Sequence, residues 1–303
     1  MNALAGAALA GALLAGACQA RARSTPSAAP STAPPTAPPT TSRPCPSPAA
    51  PGDTVESIVV GTETRSYRLS LPAGSGFHPL ILLFHGSGAD AATIASSTSL
   101  PARAARLGYV VATPDAVNHN WQVSLPNAGT ADLRLVATLV ASLESRFCID
   151  AARVYAAGFS LGSEFAAIVA CAPGPPFAAI GMVSAEFLLK PCSRPVPAIA
   201  FHGTVDPLVP YQDGAIGLSL PGMKVRGVEN NLGDWALLDG CAPIPVVEAI
   251  SAMVIRRTWP ACTAGSSVVL YTVVGGGHAW PGPPLDATGR ILEFFAAHRA
   301  DPH

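Results

Sequence analysis

Arg153-Val154-Tyr155-Ala156-Ala157-Gly158-Phe159-Ser160-Leu161-Gly162 decides how this chain is read. An apolar, strand-like run ends on a glycine. A serine follows two positions later, a second glycine two positions after that, and then the helix-compatible segment Ser163-Glu164-Phe165-Ala166-Ala167-Ile168-Val169-Ala170. A strand that turns sharply on a serine and enters a helix is a nucleophile elbow. The turn strains the serine backbone and leaves no room for bulky neighbours, hence a glycine two residues before and two after. The hydroxyl then stands clear of the backbone, beside the amide donors of the helix N-terminus. In a chain with 28 glycines the pentapeptide alone also fits a plain Gly/Ser loop. The strand before it and the helix after it select the nucleophile.

A serine hydroxyl needs a base, usually a histidine held by a carboxylate. The fold that uses this elbow orders them Ser, Asp/Glu, His, and both partners follow in that order. Pro197-Ala198-Ile199-Ala200-Phe201 reads as a short buried strand, and His202-Gly203-Thr204-Val205-Asp206-Pro207 follows it. Asp206 therefore falls just past a strand's C-terminal end, where α/β sheets put their sites; Asp213 is the back-up acid. The strand pattern Val268-Val269-Leu270-Tyr271-Thr272-Val273-Val274 leads into Gly275-Gly276-Gly277-His278-Ala279-Trp280-Pro281-Gly282, which makes His278 the expected base. His202 reads as a structural turn residue.

The oxyanion hole requires two backbone amides. Leu161, directly after the nucleophile, supplies one. The apolar run Pro79-Leu80-Ile81-Leu82-Leu83-Phe84 ends in His85-Gly86-Ser87-Gly88, and the Ser87 amide is the expected second donor. His85 reads as a loop-fixing hydrogen-bonding group. Trp121, on the loop after Tyr109-Val110-Val111-Ala112-Thr113, and Trp280, beside the base, are the substrate-lining candidates, with core packing the alternative for Trp121.

Phe84-His85-Gly86-Ser87-Gly88, Gly158-Phe159-Ser160, His202-Gly203 with Asp206, and Gly275-Gly276-Gly277-His278-Ala279-Trp280-Pro281-Gly282 together resemble the secreted esterases grouped as polyhydroxybutyrate depolymerase, feruloyl esterase and acetylxylan esterase. The likeness runs over roughly residues 55–298. It implies an α/β-hydrolase fold and carboxylic-ester hydrolysis without a cofactor, with Ser160 as nucleophile, Asp206 as acid and His278 as base. Leu161 and Ser163 depart from the residues common in that family. Neither touches the chemistry, but both reshape the acyl pocket and leave the substrate open. The resemblance also implies an aromatic wall near Trp121.

Ala3 to Ala17 is an uncharged run of Ala, Leu and Gly ending at Leu14-Ala15-Gly16-Ala17-Cys18. It is short for a membrane span and fits the apolar region of a signal peptide. Cys18 stands where a bacterial lipobox places its acylated cysteine. No Lys or Arg precedes the run, and Ala15 stands where leucine is commoner. Residues 1–18 are thus expected to be a signal peptide, and the protein to be extracellular or lipid-anchored at the cell envelope. Residues 19–51 hold ten of the 31 prolines and read as an extended, disordered tether. Residues 52–303 form the catalytic domain. Beyond Cys18, six cysteines remain: Cys45, Cys148, Cys171, Cys192, Cys241 and Cys262. An even number in an exported chain points to three disulfides. Cys171–Cys192 and Cys241–Cys262 close short loops and match the family's habit, which leaves Cys45–Cys148.

A formal charge of −1 gives no basic footprint for nucleic acid. No CxxC or HExxH spacing marks a metal site. Strands are expected near 56–60, 65–71, 80–84, 108–113, 153–157, 178–183, 197–201 and 268–274. Helices are expected near 129–146, 161–172 and 286–298, with 225–240 partly helical. Such alternation gives a mostly parallel sheet covered on both faces. Two rival functions stay open from sequence: a mycolyltransferase-like acyltransferase, and a non-catalytic envelope-binding lipoprotein.

Overall fold

The computed structural model describes residues 50–123, 130–188, 192, 194–215 and 224–300. The expected signal peptide with Cys18, nearly all of the expected tether, and Cys45 lie outside them.

Two strands open the described chain, β1 (Gly52–Val60) and β2 (Glu63–Leu71), paired antiparallel. Then come β3 (His78–Phe84), helices α1 (Ala91–Thr98) and α2 (Leu100–Arg106), β4 (Val110–Pro114), and α3 (Ala131–Arg146). The elbow follows as β5 (Ile149–Phe159) and α4 (Leu161–Cys171), and after it β6 (Ala179–Val183) and β7 (Ala198–Gly203). A two-residue pair, β8 (Gly214–Ala215) with β9 (Lys224–Val225), precedes α5 (Val228–Leu238). The chain closes with β10 (Val246–Ser251), β11 (Val254–Trp259), β12 (Val268–Val273) and α6 (Ala287–Ala296). The main sheet has ten strands in the order β1-β2-β4-β3-β5-β6-β7-β12-β11-β10. From β4 to β12 every pairing is parallel, and an antiparallel hairpin flanks each side.

The continuous apolar run of β3 has a reason. Side chains alternate across a strand, and both faces of this sheet are buried. Leu80, Leu82 and Phe84 pack into one core with Leu135, Leu139 and Leu143 of α3, Phe165 and Ile168 of α4, and Trp235 of α5. Ile81 and Leu83 enter the other, with Ile94 of α1, Leu100 of α2, and Ile291 and Phe295 of α6. Helix α3 presents its leucines at a spacing of four, and Thr130 caps it by accepting the Leu133 amide at 3.2 Å.

Two regions depart from the sequence expectation. Residues 91–106 form two short helices, although their Ala- and Ser-rich sequence shows little periodicity. The β10–β11 hairpin lies outside the expected strands as well; β10 is exposed along its whole length and carries no burial pattern to read. Cys171–Cys192 and Cys241–Cys262 are disulfides, and Cys148 is disulfide-bonded as well.

Candidate active site

The strain read into the elbow is present. Ser160 has φ 53° and ψ −123° between the end of β5 and the start of α4, a region that L-residues avoid. Its amide donates to Val183 O at 2.8 Å, and its carbonyl accepts from Ser163 N at 2.8 Å. The flanking glycines are steric necessities. A Cβ on Gly158 would lie 2.0 Å from Gly162 O, and one on Gly162 would lie 2.2 Å from Phe84 O. The elbow is thus wedged against its own helix and against the end of β3.

Asp206 and His278 arrive from neighbouring strands, because β7 and β12 are adjacent and parallel. The two loops that follow are stitched together. Val205 N donates to Gly276 O at 2.9 Å, and Gly275 N to Thr204 Oγ1 at 2.9 Å. Gly203 must lack a side chain, since a Cβ there would meet Gly276 O at 2.2 Å. The result is a hydrogen bond of 2.7 Å between His278 Nδ1 and Asp206 Oδ2. The other carboxylate oxygen of Asp206 accepts from Leu208 N at 2.8 Å and Val209 N at 2.9 Å. Burial alone would raise the Asp206 carboxyl, but the His278 hydrogen bond and the two amides hold it below the usual carboxylate range. A carboxylate so placed keeps the proton on Nδ1 and leaves Nε2 as the acceptor. Asp213 is exposed and bonded elsewhere, to Gly227 N at 2.6 Å and Asn230 Nδ2 at 2.9 Å.

The His278 ring packs on Phe159, the residue before the serine, with centroids 4.9 Å apart. Ser160 and His278 border one cavity of about 760 Å³, together with Ser87, Leu161, Glu164 and the apolar side chains of Ile94, Phe187, Leu208 and Val209. Among the described residues the Ser160 hydroxyl has no hydrogen-bond partner, His278 included. The same holds for the amides of Ser87 and Leu161, whereas Gly88 N is committed to His119 O at 2.9 Å. Ser87 and Leu161 thus both border the cavity with amides not taken up by another group among the described residues.

His85 is fully buried. Its Nε2 accepts from Ala116 N at 3.1 Å, so Nδ1 carries the proton and donates to Gly86 O at 2.7 Å. Burial pushes this ring's pKa down, and it is a neutral brace for the Ser87 loop.

Neither tryptophan lines the cavity, and Trp121 takes the core-packing alternative. Trp121 is only 3% exposed. It stacks on Phe165 with centroids 4.7 Å apart and donates from Nε1 to His85 O at 2.9 Å. Large aromatic surface and a satisfied N–H belong together in a core, and Trp121 braces the loop from behind. Trp280 donates to Thr288 Oγ1 at 3.0 Å, and that hydroxyl donates in turn to Thr98 O at 2.8 Å. It ties the histidine loop to α6 and to the end of α1 and is not part of the cavity wall.

Two polar groups were missed in the sequence. Glu164, in the first turn of α4, faces the cavity, and burial pushes its carboxyl up to about 7. Glu186, just past β6, lies 2.6 Å from the ring of His202. No motif contains it; only the adjacency of β6 and β7 reveals it.

Residues 65–232, more than half of the chain, match the family described as Esterase PHB depolymerase. The chain belongs to this esterase family. Feruloyl esterase C of Emericella nidulans is 28% identical over 252 residues, covering 77% of this chain and 84% of that protein. Feruloyl esterase B of Piromyces equi is 27% identical over 215 residues, covering 66% of this chain but 39% of that larger protein. Among solved structures, acetyl xylan esterase from Aspergillus awamori superposes with a TM-score of 0.62 at 16% identity, covering 80% of this chain and 99% of that one. That likeness establishes the fold, an α/β-hydrolase. As a member of this family the protein is a carboxylic ester hydrolase, which sets aside the non-catalytic envelope-binding reading.

Proposed function

We propose that Ser160, His278 and Asp206 form the catalytic triad of an exported serine esterase. The observation that carries this is the 2.7 Å contact between His278 and Asp206 beside a strained serine on the same cavity. His278 Nε2 takes the hydroxyl proton as Ser160 Oγ attacks the ester carbonyl. The imidazolium that forms is stabilised by Asp206, and the Ser87 and Leu161 amides hold the oxyanion. The proton passes to the departing alkoxide, and water then releases the acyl group by the reverse sequence. Ser160→Ala is expected to abolish hydrolysis of p-nitrophenyl acetate and labelling by a fluorophosphonate, while leaving the melting temperature near that of the wild type. Undiminished turnover by the variant refutes the triad.

The cavity is larger than an acetyl group needs, and its wall of Ile94, Phe159, Leu161 and Phe187 suits an aromatic acyl group. The feruloyl esterases among the relatives support the same choice. We therefore infer a hydroxycinnamoyl-type ester as substrate. A higher kcat/KM on methyl ferulate than on ethyl acetate is the expected result, and the reverse order overturns it. The leader at residues 3–17 supports export, and Cys18 a lipid anchor. Partition of the full chain into detergent, lost in Cys18→Ser, tests the anchor.

A further inference from the structure

We propose that Glu186 and His202 are a positioning pair behind the triad acid: Glu186 keeps the His202 ring doubly protonated, so that the ring holds the Asp206 loop in register for His278. The proposal rests on the triad reading above and extends it by one layer.

Both side chains are buried, Glu186 at 1% and His202 at 0% exposure. Glu186 stands three residues beyond β6 and His202 one residue before the end of β7, and these strands are parallel neighbours. Nδ1 of His202 meets Glu186 Oε2 at 2.6 Å. Nε2 points the other way, to Val209 O at 2.9 Å and Asp206 Oδ2 at 3.4 Å. Oxygen atoms thus face both ring nitrogens. A neutral imidazole carries one N–H and one lone pair, so against an ionised Glu186 a neutral ring would press a lone pair on an oxygen on one side. Only the imidazolium donates both ways. Burial works against that charge, but the Glu186 carboxylate, with Val209 O and Asp206, outweighs it and pushes the ring up to about 9.

The bond to Val209 reaches the chemistry in one step. The amide of Val209 holds Asp206 Oδ1, and Asp206 Oδ2 holds His278. The line from Glu186 through His202 and Val209 to Asp206 therefore ends on the base. The remaining groups around His202 leave its charge to Glu186 and Asp206. Tyr211 packs edge-on with centroids 5.9 Å apart. Its hydroxyl is bonded to Thr272 at 2.7 Å and Glu229 at 2.9 Å, and Arg257 neutralises Glu229 at 2.8 Å.

Stability alone is a poor reason for this arrangement. A buried ion pair often contributes less than an apolar pair of the same volume, and Glu186 Oε1 has no hydrogen-bond partner among the described residues. A buried unsatisfied oxygen is costly. Such a cost placed directly behind a catalytic carboxylate fits a functional constraint. A purely architectural alternative exists, since Ala185 and Phe187 on either side of Glu186 line the cavity. If the pair only held that wall, its loss would raise KM and leave the pH profile in place.

Glu186→Gln, Glu186→Asp and His202→Gln are compared with the wild type, each rate normalised to the Ser160 titrated by a fluorophosphonate so that misfolded protein is not counted. In Glu186→Gln, kcat per site at pH 7.5 is expected to fall roughly 10- to 100-fold with KM within about twofold. The alkaline inflection of kcat is expected to move toward neutrality by about one pH unit or more. Glu186→Asp recovers part of both. Nitrogen-15 NMR of wild-type His202 at pH 7.5 is expected to show both ring nitrogens protonated, and Glu186→Gln only one. A singly protonated wild-type ring overturns the proposal. So does a Glu186→Gln variant with unchanged kcat, or with a raised KM and an unmoved alkaline inflection. An inactive Ser160→Ala beside an unaltered Glu186→Gln removes this pair and leaves the triad standing. An active Ser160→Ala removes the triad itself, and the pair with it.

Discussion

The two sides of the cavity are built on different principles. On the side of the proposed nucleophile, Ser160 is placed largely by sterics: Gly158 packs against Gly162, and Gly162 against the end of β3. On the acid–base side, Asp206 and His278 are 72 residues apart and are placed by hydrogen bonds and charge between separate loops. The first side is rigid because nothing larger than hydrogen fits at Gly158 and Gly162. The second has one such contact, Gly203 against Gly276 O, but its side chains are aligned by matched donors and acceptors. A local steric device fails completely or not at all, whereas a network loses function in steps.

The largest effect expected from this contrast follows Gly158→Ala. Its Cβ would sit 2.0 Å from Gly162 O, a backbone atom with no free rotamer to move into. A cost above about 4 kcal/mol is expected, enough to remove most soluble folded protein, as read by expression yield and thermal melting. Near-normal melting would show that the elbow yields and that the steric account of this side is wrong.

On the other side the corresponding change is Asp206→Asn, which keeps shape and removes charge. The two amides on Oδ1 still find an oxygen, so the fold should persist, with melting lowered only by the loss of the carboxylate beside His202. The amide no longer fixes the His278 tautomer, and kcat should fall on the order of 10⁴-fold. Large catalytic loss with an intact fold is the signature expected of the network side. A loss of fold in Asp206→Asn would erase the contrast.

Legibility in the sequence follows the same division. The elbow, the apolar strands and the two glycine-bearing loops are local patterns, so the sheet centre and Ser160, Asp206 and His278 stand out directly. Glu186 shares no motif with His202; the two meet only because β6 and β7 lie side by side. For Trp121 core packing is one of two readings and holds, whereas Trp280 misleads, because proximity along the chain says nothing about which way a ring turns. Both face inward and brace loops, Trp121 through His85 O and Trp280 through Thr288. The exposed β10 strand gave no signal because neither of its faces is buried.

The disulfides offer a smaller test of the same comparison. Cys171 ends the elbow helix α4, whereas Cys241 and Cys262 flank the β10–β11 hairpin at the sheet's far edge. Each spans 21 positions, so removing either should cost about 3 kcal/mol in loop entropy. The Cys171→Ala/Cys192→Ala pair should also lower kcat, because its helix begins directly after the proposed nucleophile. The Cys241→Ala/Cys262→Ala pair should lower melting alone. Equal kinetic losses from both would mean that the elbow does not depend on its own helix.

The smallest effect concerns Glu164, one turn past the serine. Its carboxyl is held up to about 7 by burial, against an ordinary value of 4.5. Between those two pH values the folded protein keeps a proton that the unfolded chain has released. Stability therefore falls as pH rises through this window, with no penalty below about 4.5 and the full penalty above about 7. Glu164→Gln removes the titration. Its melting temperature should match the wild type near pH 4.5, exceed it increasingly toward pH 7, and hold a constant margin above that. Asp239, raised to about 6 by burial against the opposing bonds from Ser266 and Val196, titrates equally in both proteins and cancels from the difference. A margin that is flat across the window would show that the Glu164 carboxyl is solvated, and that the cavity floor beside Ser160 is wetter than its apolar neighbours suggest.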